Sequence, residues 1–172
     1  MARVRASLTL LAVLGLARAA GPALAAAPVP EIAFSEASVR IAKIEIRAEV
    51  SLDEAVESLK LRANQQNLKF VGGNALYKEI EALTGKPARR MEIFNFCDGL
   101  AAQQLIAADS ALIAFMPCRI AVVEDARGAR WIIAMMMAEA SIAALPEPTR
   151  ASARRIMAAM QDMMRAAASG DL

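Results

Sequence analysis

The sequence predicts an α+β fold: two layers, one mainly antiparallel sheet covered by helices, closed by a C-terminal helix. Three observations carry that expectation. Apolar residues between Val39 and Val50 recur mostly at every second position, Ser51 opens an amphipathic helical stripe, and a hairpin pattern around 119–137 precedes a last helical segment.

Taken in order, Val39, Ile41, Ile44, Ile46 and Val50, with Lys43, Glu45 and Arg47 between them, read as a strand. Ser51 followed by Glu54 is a capping box, and Leu52, Ala55, Val56 and Leu59 form the stripe of a helix over about 52–66. A short strand at 68–71 ends at Gly72-Gly73. One or two helical turns at 76–83 stop at Gly85, with Pro87 just beyond. Residues 90–96 read as a strand, and Asp98 caps a helix over 99–107. The apolar run 111–116 reads as extended, and Pro117 interrupts the ladder, which marks an edge or the start of a strand. Residues 119–124 and 131–137 are strands joined by a turn at 125–128. Trp131, Ile133, Met135 and Met137 share one face and Ile132, Ala134 and Met136 the other, the pattern of a strand buried on both sides. After Pro146-Glu147-Pro148, Thr149 caps a final Met-rich helix over 149–168.

Composition narrows the function. A chain of 172 residues, 57% apolar, has enough material for one self-sufficient core and is too apolar for disorder. It has no His, which excludes Ser-His and Cys-His catalytic pairs, imidazole metal sites and His-ligated haem. No Gly-rich phosphate loop follows a strand, and Glu124 and Asp125 are neighbours that point to opposite faces, unlike a glycosidase pair. The expectation is a domain that is not an enzyme.

The first 25 residues read as a secretory signal peptide: Arg3 and Arg5, an apolar run from Leu8 to Leu16, then Ala23-Leu24-Ala25 as the cleavage site. The run is too short for a stable membrane anchor after leader cleavage. Residues 26–37, rich in Ala and Pro, form a flexible lead-in, and the mature protein is expected in the periplasm or secreted. The leader holds Arg3, Arg5 and Arg18 and no acid, so the net charge falls from +2 to −1 on cleavage. With only Arg89-Arg90 and Arg154-Arg155 as adjacent basic pairs, no nucleic acid partner is expected.

Two segments carry a recognisable pattern: Met91-Glu92-Ile93-Phe94-Asn95-Phe96-Cys97, then Phe115-Met116-Pro117-Cys118-Arg119-Ile120-Ala121-Val122-Val123-Glu124-Asp125, followed by Trp131. Over 38–140 the chain resembles the family called "domain of unknown function 302", and the Ser51–Leu59 helix is similar to that family's opening helix. The resemblance implies a small α+β domain and a homodimer, with no established activity and no catalytic residues to carry over. The C-terminal helix lies outside the matched pattern.

The sulfur atoms remain. Cys97 and Cys118 in an exported protein read first as a disulfide, which closing about 20 residues would stabilise by roughly 3 kcal/mol. They also suit two buried, inert thiols, or a thiolate site for sulfur transfer or a soft metal. Met116 shares strand parity with Cys118 if Pro117 leaves the register intact, so Cys97, Cys118 and Met116 form the candidate Cu(I) set. The other methionines fit core packing: Met157, Met160 and Met164 recur at helical spacing. The leading expectation is therefore an exported, non-catalytic binding or interaction domain without a cofactor, whose ligand is unnamed. The alternative is a Cu(I) or sulfur carrier using the two thiolates.

Overall fold

The computed structural model describes residues 31–34 and 36–171; the leader expected over 1–25 lies outside them. From residue 36 onward the chain forms one compact unit. Its five strands are β1 (Val39–Glu45), β2 (Lys69–Ala75), β3 (Met91–Cys97), β4 (Cys118–Glu124) and β5 (Arg130–Met137). The helices are α1 (Leu52–Gln65), α2 (Leu76–Thr84), α3 (Gly99–Ala108), α4 (Glu139–Ala143) and α5 (Thr149–Ser169), with a 3-10 turn over Ser110–Phe115. The sheet is antiparallel throughout, in the order β1-β5-β4-β3-β2. β2 to β5 make a meander, and the first strand closes it beside the last.

Alternation along the strands places Phe94, Phe96, Ile120, Val122, Ile132, Ala134 and Met136 on one face, all buried. Against that face lie Ala55, Val56, Leu59 and Ala63 of α1 and Ile156, Ala159, Met160, Met163, Met164 and Ala167 of α5. Two layers result, as the sequence predicts. A smaller cluster gathers Leu105, Leu112, Met137, Ile142, Leu145 and Ala153 where α3, the 3-10 turn, α4 and the start of α5 meet. Arg62 of α1 pairs with Asp162 of α5 at 3.2 Å, and Arg130 donates to the carbonyls of Val50, Ala48 and Arg47 at 2.6–3.1 Å. Those three acceptors end the β1 ladder and turn the chain into α1, so β1 stops at Glu45 short of the expected Val50.

Local signals account for the ends that sequence predicts well. The Ser51 hydroxyl accepts from the Glu54 amide while the Glu54 carboxylate accepts from the Ser51 amide, the reciprocal box that starts α1. Gly85 closes α2 with φ 66°, a conformation that glycine adopts without a Cβ penalty.

Four expectations are corrected. Residues 111–116 are not extended but mostly 3-10 helix, because the Asp109 carboxylate takes the Ala111 amide at 2.8 Å and starts a turn; a short apolar run does not by itself distinguish the two. β2 does not end at Gly72-Gly73 but passes through them with a bulge between Phe70 and Gly72. There Gly73 lies so close to β3 that a Cβ would sit 3.1 Å from the Ile93 carbonyl oxygen. Thr149 is a buried first residue of α5 and not its cap; the Ala151 amide is taken by Glu147 instead. β5 is not buried on both sides. Ile132, Ala134 and Met136 are buried, whereas on the other face Met135 is 37% exposed, Trp131 and Ile133 are half-buried and only Met137, at the strand's end, is buried, in the smaller cluster, because α1 and α5 both pack on the first of these faces. No described helix is long and apolar enough to cross a membrane.

Candidate functional site

Cys97 ends β3 and Cys118 begins β4, and both are free thiols in this structure. The register explains their separation. Phe96, not Cys97, lies opposite Cys118, and neighbouring residues of a strand point to opposite faces. Cys118 therefore packs against the main core beside Phe96, while Cys97 is directed to the other face. Met116 belongs to the smaller cluster with Phe115 and Met157. The three sulfur residues lie at or beside the ends of β3 and β4 but are packed into different surroundings. Among the described residues, no group of three or more Cys, Asp or Glu gathers in one place.

Burial pushes the Cys118 thiol up to about 11, and the nearby Cys97 adds to the rise. Burial, and then the charge of Asp98, raises Cys97 as well. Both thiols are thus protonated at neutral pH, and a protonated thiol is a poor nucleophile and a poor ligand. Reaction with a thiol-specific aromatic disulfide at neutral pH is expected to be slow at Cys97 and slower at Cys118. Each should accelerate only as pH rises towards its raised pKa. A burst of one or two thiols at neutral pH would show that the thiols are activated.

Asp98 beside them has a structural task. Its carboxylate accepts from the Leu100 and Ala101 amides at 3.0 and 3.1 Å as the N-cap of α3, and from Arg155 of α5 at 2.6 Å. Burial on its own raises this carboxyl, but the Ala101 amide and the Arg155 guanidinium outweigh it and hold Asp98 below its ordinary value. A folded pKa below the unfolded one stabilises above the unfolded pKa and is lost as pH falls through the folded value. Asp98→Ala is expected to cost about 0.5–2 kcal/mol at neutral pH, as lost N-caps do. In urea titrations the difference between parent and variant should begin to shrink as the pH falls below the ordinary 3.8 and vanish only below the lowered folded value. Asp125 is likewise a hub of the β4–β5 turn, accepting from the Trp131 indole at 3.0 Å and from the Arg127 and Ala129 amides.

A concave feature lies elsewhere, between β1 and α5. This groove of about 450 Å³ has an apolar floor of Ala42, Ile44, Met136, Met157 and Met164, with Arg40, Lys43 and Arg165 among its lining residues. Met157, Gln161, Met164 and Arg165 recur at the spacing of one helix face, and Arg40, Ala42 and Ile44 share a face of β1, so two regular elements build both walls. Sequence reading missed it. The α5 methionines look like core positions from their spacing alone, and nothing in the chain order announces that β1 and α5 meet.

The family described as "Domain of unknown function DUF302" matches residues 44–167, a span that takes in most of α5 as well as the segment where the sequence pattern is strongest. The chain is also similar to the solved structure of an uncharacterized conserved protein DUF302 from Bacillus stearothermophilus. It is 13% identical, covering 74% of this chain and 97% of that one, with a TM-score of 0.58, a likeness of fold. No curated protein matches the chain.

Proposed function

Since the chain belongs to the DUF302 family, whose description assigns no reaction, we propose from its own geometry that it is a small, exported, non-catalytic binding domain with the β1–α5 groove as its binding surface. One observation carries the reading: the groove combines a size typical of ligand sites, an apolar floor and a few charged groups, on two regular elements. The thiols support it from the other side. A Cu(I) or sulfur carrier needs accessible thiolates, whereas burial keeps Cys97 and Cys118 protonated and the register points them apart. In the same proposal the protein self-associates through the sheet's second face, where Ile41 is 67% exposed beside Met135.

The test uses anilinonaphthalene sulfonate, an apolar anion whose fluorescence rises in apolar surroundings. Saturable one-to-one binding is expected. Gln161→Trp, which fills the groove from an exposed position of α5, should weaken it at least about fivefold, near 1 kcal/mol. Equal binding by both proteins would remove the groove as the binding surface.

A further inference from the structure

Five consecutive residues of β1, Arg40 to Ile44, line the groove. A strand that shows a hollow one face contributes every second residue, so a wall made of all five includes the strand's free edge. β1 is the outermost strand, with β5 as its partner. The Ile46 amide donates to the Arg130 carbonyl at 2.8 Å. Antiparallel ladders alternate, which makes Ile44, Ala42 and Arg40 the residues that exchange main-chain bonds with Ile132, Ala134 and Met136. Val39, Ile41, Lys43 and Glu45 therefore turn their N–H and C=O groups away from the sheet, and no described residue takes them.

Resting on the groove as the binding surface, we infer that its occupant is an extended polypeptide segment, alternating apolar and acidic residues, that adds to β1 as a further strand. Main-chain bonds to Ile41 and Lys43 supply the register, as in other strand-addition complexes. The apolar side chains enter between β1 and α5 against Ile44, Met157 and Met164, whose flexible thioethers repack around different shapes. Charge selects the acidic residues. Alternation sends their side chains to the sheet's second face, where Lys43 of β1 has no carboxylate partner among the described residues. The one carboxylate of the lining, Glu139, is already paired with Arg154. Lys43 lies 3.6 Å from the Trp131 ring centroid, which holds its ammonium beside the open edge.

The experiment adds a fluorophore-labelled octapeptide of alternating valine and glutamate, blocked at both ends, to the purified protein and follows anisotropy. One-to-one binding is expected. N-methylation of one alternate set of peptide amides should weaken it at least about tenfold, near 1.4 kcal/mol, while methylation of the other set leaves it unchanged. Ile41→Pro removes an outward amide that the β1–β5 ladder does not use, so it should keep the parent's circular dichroism and lose the peptide to a similar extent. Binding that survives both methylation patterns overturns strand addition, and so does the absence of peptide binding. The groove reading is judged separately. If anilinonaphthalene sulfonate still distinguishes the parent from Gln161→Trp, the groove stands and only its occupant is wrong. A dimer in sedimentation that Ile41→Pro dissolves and Ile41→Ala, which keeps the amide, does not, with no peptide binding, would assign the edge to a second copy of this chain and also overturn the proposal.

Discussion

A chain that stops before Thr149 is expected to show no cooperative unfolding transition. α5 contributes Ile156, Met160, Met163 and Met164 to the core, each 5% exposed or less. Fully burying four such side chains is worth about 6–12 kcal/mol, at about 1.5–3 each. That is of the order of the whole stability of a domain, about 5–15 kcal/mol. Removing α5 also uncovers the sheet face carrying Ile132 and Ala134 and leaves α1 without the helix it packs beside. The measurement is Trp131 fluorescence against urea for the parent and for the shortened chain. A sigmoidal transition in the shortened chain, with a slope reduced in line with its smaller buried surface, would mean that the sheet and α1 form a self-sufficient unit. The family match through residue 167 agrees with the helix being part of the domain.

Phe96→Ala is expected to destabilise the protein by about 3–5 kcal/mol, the usual cost of deleting a buried aromatic ring. Phe96 is fully buried on the central part of the sheet, with the Phe70 ring centroid 5.8 Å away and Cys118 directly opposite on β4. The lost ring leaves a void next to the Cys118 thiol, so the substitution carries a second readout. Cys118 should react faster with the aromatic disulfide in Phe96→Ala than in the parent, at equal pH and below the unfolding midpoint. A loss under about 1.5 kcal/mol, the range of volume-conserving swaps, would show that the neighbours collapse into the space.

Much of the fold is written in local chemistry. The capping box at Ser51 and Glu54, the Asp98 cap, the Gly85 stop and the Asp125 turn are each satisfied by atoms a few residues away. Their effects do not depend on what packs above them. The misread elements are those where competing signals, local or distant, decide the outcome. The run 111–116 is apolar and short, and its helical turn is decided by one carboxylate, Asp109, that competes for an amide. Thr149 has the chemistry of a cap, yet its side chain is drawn into the core and Glu147 serves the first turn in its place. The candidate site was legible only in part. Cys97 and Cys118 do sit at the facing ends of adjacent strands, but whether two such residues face each other turns on a register offset of a single position.

By itself, the sequence determined the class of fold, the type and order of most elements, the family, and the absence of imidazole chemistry. All of these depend on residue type and near-neighbour spacing. Only the tertiary structure decided that Phe96 and not Cys97 faces Cys118, that one face of β5 is covered, and that β1 and α5 enclose a groove beside an open strand edge. Those facts come from pairings between separate segments of the chain, from the neighbouring β3 and β4 to the distant β1 and α5. Periodicity tells a residue which side of its own strand or helix it occupies, and the partner on that side is set only when the whole core closes.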